Sequence, residues 1–146
     1  MRGFACIGLD NPKYQYNVGS ALRTATAFDV KMVAISGKHY QKSATDTTHG
    51  YKQFPLLHVV DLRSVVPYDC VPVAVEIVDK AQSLVKYQHQ ERAFYIFGSE
   101  DATLGDRITS WCKHIVYIPT QCCLNLAACV NVILYDRMCK QEQHKE

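Results

Sequence analysis

The chain has 146 residues, 48% of them apolar and 21% charged, which excludes a disordered or fibrous protein and suits one domain with a proper core. Sixteen Lys and Arg against fourteen Asp and Glu leave a net charge of only +2, so a polybasic nucleic-acid-binding tail is also excluded. The balance is uneven, because residues 1–54 hold seven Lys/Arg and three Asp/Glu; a mildly basic N-terminal third is suited to meeting phosphate, although ordinary sampling of charges produces such a surplus too.

The apolar run Phe4–Leu9 is too short for a secretory signal and reads as a first strand. Further strands are expected at Lys31–Ile35, Leu57–Val60, Val71–Ile77, Ala93–Phe97 and His114–Ile118. Each is short and near-continuously apolar, as in strands buried on both faces. Helices are expected at Val18–Phe28, Asp61–Val66, Gly105–Trp111 and Leu124–Lys140. The alternation predicts an α/β fold with a mostly parallel sheet and helices on both faces. The polar segment Gly37–Phe54 reads as a surface excursion.

Residues 115–135 carry no formal charge and are long enough to span a bilayer. Pro119, Thr120, Gln121, Asn125 and Asn131 would each put a polar or helix-breaking group in lipid. The expectation is therefore buried strand, polar loop and buried helix, in a soluble cytoplasmic protein with no membrane partner. Seven cysteines are scattered without any C-x-x-C pair. That pattern reads as reduced thiols and no metal site, with Cys122-Cys123 the one adjacent pair. No G-x-G and no G-x-x-x-x-G-K occurs, so neither familiar glycine-rich nucleotide loop is available.

Three segments carry candidate chemistry. In the first, Asn17 stands where a helix cap belongs, and Val18, Ala21, Leu22, Ala25 and Phe28 form a core face. Arg23 points elsewhere, with the small residues Gly19, Ser20, Thr26 and Ala27 around it, so a large ligand could approach. A capped helix carrying a solvated arginine fits that segment equally well. The second runs from a buried strand through Gly98 to Glu100 and Asp101, where an α/β sheet places a ligand loop. An acidic helix start is its plainer reading. The third joins Ile118 and Pro119 through Cys123 and Leu124 to Asn125 at a helix entry. The helix that follows is apolar almost all round, which calls either for a second subunit or for docking into its own core.

In series, N-x-G-x-x-x-R-x-A at Asn17, Gly19, Arg23 and Ala25, G-x-E at Gly98 and Glu100, and I-P…C-L-N at Ile118, Pro119, Cys123, Leu124 and Asn125 resemble the SpoU/TrmH branch of the SPOUT RNA methyltransferases, over nearly the whole chain and in a minimal single-domain form. The resemblance implies an α/β fold with a C-terminal trefoil knot, and a homodimer through the knot and the last helix. It implies S-adenosylmethionine as cofactor, held by Glu76, Gly98, Glu100, Ile118, Cys123, Leu124 and Asn125. It implies methyl transfer to a ribose 2′-hydroxyl of RNA, tRNA first and rRNA next, with Arg23, Asn17, Glu100 and Asn125 in the catalytic site. Arg2, Lys13, Arg23, Lys38, Lys42 and Lys52 are the expected RNA contacts. A guanidinium is a poor base, so Arg23 either works in an environment that eases its deprotonation or aligns phosphate and developing charge. Thr103 stands where the family commonly has glycine, Cys123 and Ala127 where it commonly has serine, and the loop from Pro119 to Asn125 is short. The alternative is a catalytically silent dimer that binds RNA or cofactor as a chaperone or regulator.

Overall fold

The apolar runs assemble into one sheet in the computed structural model, which describes residues 3–37 and 53–145. In chain order the elements are β1 (Phe4–Asp10), α1 (Gln15–Ala27), β2 (Val33–Ser36), β3 (Leu56–Val59), a 3-10 turn (Leu62–Val65), β4 (Val71–Val75), β5 (Gln82–Ser83), a second 3-10 turn (Leu84–Lys86), β6 (Arg92–Phe97), α2 (Asp106–Thr109), β7 (His114–Tyr117) and α3 (Leu126–Gln143). The strand order is β3-β2-β1-β6-β4-β7-β5, and the described pairings are all parallel.

Alternating side chains cover the two faces of the sheet. Ile7, Leu9, Val73 and Tyr95 pack under α1 (Val18, Leu22, Ala25) and α3 (Val130, Ile133, Leu134). Cys6, Ala34, Ala74, Phe94 and Ile96 pack on the other face against Leu62, Leu104 and Ile108. Each fully buried aliphatic side chain contributes about 1.5–3 kcal/mol, so both layers are well anchored. Gly8 on β1 is required by this packing, because a Cβ there would lie 2.9 Å from the Phe94 ring.

Several elements differ from the sequence expectation for local reasons. Helix α1 starts at Gln15, with Tyr14 at the cap position and no side-chain cap, so Asn17 lies inside the helix. Strand β4 stops at Val75, not Ile77, because the Ile77 amide donates to Glu76 Oε1 (2.9 Å). The segment 61–66 is a 3-10 turn capped by Asp61, whose carboxylate accepts from the Arg63 amide. The expected helix at 105–111 is reduced to the single α-helical turn α2, entered through Gly105 at φ +67°, a left-handed conformation suited to glycine. Strand β5 is only the two polar residues Gln82 and Ser83, with no apolar pattern to reveal it.

Helix α3 is less uniformly apolar in its setting than in its sequence. Arg137 is buried, its Nη1 donating to Gln90 O (2.6 Å) and the Tyr95 hydroxyl (3.0 Å) and its Nη2 to Glu91 O (2.7 Å). Lys140 Nζ donates to Leu84 O (2.5 Å) and Tyr87 O (2.9 Å). These bonds fasten α3 to residues 84–91, while Tyr135 and Met138 remain exposed. No described helix is long and apolar enough to cross a membrane.

Candidate active site

Register brings the site together. Val75 pairs with Phe97 on one side and with Val116 on the other, so β4, β6 and β7 end level with one another. The loops leaving these three neighbouring strands enclose a cavity of about 360 Å³. This is the carboxyl edge of the sheet, where parallel α/β folds bind ligands. Val75, Phe97, Tyr117, Ile118, Leu124 and Leu126 give it an apolar wall, and Glu76, Ser99, Glu100, Asp101, Thr103 and Thr120 a polar rim.

Six residues expected to hold a cofactor line this cavity: Glu76, Gly98, Glu100, Ile118, Cys123 and Leu124. Asn125 does not. Its side-chain oxygen accepts from the Ala128 amide (2.8 Å), capping α3, so the structure gives it a helix-capping role at the edge of the site. Glu76 is committed to the backbone as well. One carboxylate oxygen takes the Ile77 amide and the other takes the Leu104 amide (2.7 Å), which ties the loop after β4 to the loop after β6.

Glu100 makes the corresponding connection to α1. Its Oε1 accepts from Asn17 Nδ2 (2.6 Å) and its Oε2 from the Lys13 amide (3.0 Å). Asn17 is buried, and this long-range partner explains why it sits within the helix rather than capping it. The Lys13 ammonium is paired with Asp101 (2.7 Å). Its hydrogen bond to that carboxylate raises the lysine pKa and lowers that of Asp101. Lys13, expected to meet RNA, is thus already engaged by the cavity rim.

Arg23 is exposed on α1, and its guanidinium makes no hydrogen bond or ion pair with the described residues. It is not among the cavity-lining residues, so this chain joins the Asn17–Glu100 contact to the cavity and leaves Arg23 facing outward. Arg2, Lys38, Lys42 and Lys52 lie outside the described residues.

Sequence reasoning missed Thr120, Tyr117 and Cys129 in the wall; their signal is position alone, at the end of β7 and on the first turn of α3. Burial pushes the Cys129 thiol up to about 11, so it is a neutral wall residue whose S–H donates to Leu124 O. Among the described residues no group of three or more His, Cys, Asp or Glu is placed to hold a metal ion. An apolar slot with carboxylates at its rim suits a ligand with a flat ring and a cationic group.

Residues 5–135 match the SpoU rRNA Methylase family. The chain belongs to that family. No curated protein sequence matches it. Among solved structures, the fold is similar to the TrmH/SpoU tRNA modifying enzyme of A. aeolicus (TM-score 0.86, 16% identity, 99% of this chain and 78% of that one). It is also similar to the SpoU methyltransferase AviRb of Streptomyces viridochromogenes (0.84, 19%, 98% and 62%), which has been solved with the cofactor AdoMet as well. A structure bearing on the 2-OH methylation of C/U34 on tRNA matches over 97% of this chain and 98% of its own, with a TM-score of 0.79 and 18% identity. This SpoU-family chain therefore spans about three-fifths of the AviRb chain and nearly all of the last relative.

Proposed function

We propose that this protein is an S-adenosylmethionine-dependent RNA methyltransferase acting on a ribose 2′-hydroxyl, with tRNA the first substrate to test and rRNA the next. The observation that carries the reading is the cavity formed by Glu76, Gly98–Glu100 and Ile118–Leu124 at the carboxyl edge of β6-β4-β7, in a chain of the SpoU family. S-adenosylmethionine, when bound, supplies an electrophilic methyl group on a sulfonium.

The residues fit such a cofactor by their chemistry. The apolar wall accepts an adenine ring, and the carboxylates at the rim favour the positive charge. Gly98, Glu100, Ile118, Cys123 and Leu124 would hold it, while Glu76 keeps two of the three loops in place. Cys123, where serine is common in the family, offers a weaker side-chain hydrogen bond. Asn17 fixes Glu100 and so fixes the loop after β6 against α1. Arg23 aligns the RNA backbone and steadies charge developing at the 2′-oxygen. Its outward position suits a site completed by a second copy of the chain, with α3 and a threaded C-terminal segment at the interface. Proximity and orientation then supply much of the rate.

The test incubates wild type and Arg23→Ala with labelled S-adenosylmethionine and total host RNA, then maps 2′-O-methyl nucleotides. Transfer by wild type and loss in the variant support the reading. Equal transfer by both removes Arg23 from it, and transfer by neither leaves the silent RNA-binding dimer.

A further inference from the structure

The cavity wall from Gly98 to Thr103 belongs to the loop that leaves β6. Its leading part is tied down at Glu100, by Asn17 and the Lys13 amide, and its trailing part at the Leu104 amide, by Glu76. The chain then turns at Gly105, whose φ +67° and ψ 178° lie in a backbone region essentially confined to glycine. A Cβ at Gly105 would meet nothing within 4 Å, so the backbone conformation, not crowding, calls for glycine there. The orientation of α2 beyond this corner therefore decides where Thr103 and Leu104 sit.

A single turn such as α2 is too short to be held by its own hydrogen bonds. Ile108 is buried in one cluster with Leu104 and Leu62, an apolar contact that has no direction. Direction comes from Arg107. Its Nη2 donates to Asp10 Oδ2 (2.7 Å) at the end of β1, and its backbone oxygen accepts from the Trp111 indole Nε1 (3.0 Å). Asp10 is itself fixed, because its Oδ1 accepts from Ser36 Oγ (2.9 Å) on the paired strand β2, and Ser36 is buried. The Arg107 side chain is 64% exposed, but that of Asp10 is only 8% exposed. This is therefore no ordinary surface ion pair. Removing the guanidinium leaves a buried carboxylate with one partner fewer, which is costly.

We propose that Asp10 and Arg107 are positioning residues for the cofactor: their ion pair sets α2 across the Gly105 corner and so holds the loop 98–105 in the shape that lines the cavity. Neither side chain lines the cavity itself, so both act through the loop. The inference rests on the S-adenosylmethionine-dependent reading of that cavity. It adds to it two residues that lie outside all three sequence segments carrying the candidate chemistry.

The test compares wild type with Arg107→Ala, Arg107→Lys and Asp10→Asn, each shown by thermal denaturation to be folded at the assay temperature. Amide hydrogen exchange is followed by mass spectrometry in the loop 98–105 and in strands β1 and β6, without ligand. S-adenosylmethionine affinity is measured by calorimetry on the same preparations. In Arg107→Ala the loop is expected to exchange about tenfold faster while the strands exchange as in wild type, and cofactor affinity to fall about tenfold. Asp10→Asn, which keeps the size and loses the charge, should behave alike. Arg107→Lys keeps a cationic donor for Asp10 and should recover most of both effects. Unchanged loop exchange in Arg107→Ala overturns the proposal, as does faster exchange spread evenly over loop and strands, which would make the pair a general stability contact. Faster loop exchange with cofactor affinity within about twofold of wild type overturns the positioning role while leaving the cofactor reading intact. A wild type whose loop is protected in this Arg107-dependent way, yet binds no S-adenosylmethionine, overturns the cofactor reading and the positioning role with it.

Discussion

Asn17 and Glu100 are 83 residues apart in the chain and 2.6 Å apart in the fold, amide nitrogen to carboxylate oxygen. The bond crosses from α1 to the loop after β6 and makes one rigid body of the helix that carries Arg23 and the loop that lines the cavity. A hydrogen bond to a charged acceptor is worth about 1.5–3 kcal/mol. Asn17→Ala is therefore expected to cost about 2 kcal/mol in urea unfolding and to weaken S-adenosylmethionine binding. Asn17→Asp, which faces one carboxylate with another, should cost more on both counts. If Asn17→Ala binds cofactor as wild type does, the loop is held by other means.

Arg23 should behave in the opposite way. It is exposed and unpaired among the described residues, so Arg23→Ala should change stability by no more than about 0.5 kcal/mol while abolishing methyl transfer. Denaturation and labelled transfer on the same preparation separate the two effects. A large loss of stability would make Arg23 a structural residue.

What was legible in the sequence was whatever rests on local chemistry. Asn125 caps α3 because its side chain finds an amide three residues on, and the short, near-continuously apolar runs became strands because a strand buried on both faces needs apolar residues on both. Asn17 was misplaced for the complementary reason. Its partner is far away in the chain, and its side-chain NH2 donates to that carboxylate, a contact that no local pattern announces. Glu76 shows a third kind of signal, since it bonds backbone groups of residues 77 and 104 that no side-chain pattern announces. The links from Arg137 to residues 90, 91 and 95 were hidden in the same way, inside a helix whose sequence reads as nearly all apolar.

Packing around β1 supplies a test of the fold apart from the site. A methyl group at Gly8 would enter the van der Waals shell of the buried Phe94 ring, at 2.9 Å. Gly8→Ala should destabilise by about 1–3 kcal/mol, the usual cost of overpacking. Gly98→Ala, whose new atom would meet neighbours at 3.4 Å, should fold as wild type does. Thermal denaturation of the two variants should rank them in that order, and equal melting temperatures would contradict the β1–β6 packing.

The exposed stripe of α3 bears on the composite site. Tyr135 is 58% exposed and Met138 41%, three residues apart on a helix whose other faces meet α1 and the sheet. Wild type is expected to sediment as a dimer at micromolar concentration, and Tyr135→Asp/Met138→Asp as a folded monomer without methyl transfer. A monomeric wild type would confine the site to one chain.

His89 makes the stability of the α3 anchor pH-dependent. Its Nδ1 meets the Tyr95 hydroxyl (2.7 Å) and its Nε2 meets Asp136 (2.7 Å), with Arg137 and Lys140 from α3 close by. Burial lowers the His89 pKa below the ordinary 6.5 and outweighs the opposing pull of Asp136. The unfolded chain therefore takes up a proton near pH 6.5 that the folded chain still refuses. Stability from this group is full above about pH 6.5 and falls as the pH drops towards the lowered folded value, by at most about 1.4 kcal/mol per pH unit for one proton. His114, whose pKa is also lowered chiefly by burial, acts in the same direction, so the comparison needs His89→Asn. Urea midpoints measured from pH 7.5 to 5 should fall for wild type and fall less steeply for the variant. Parallel slopes would show that His89 holds its proton equally in both states.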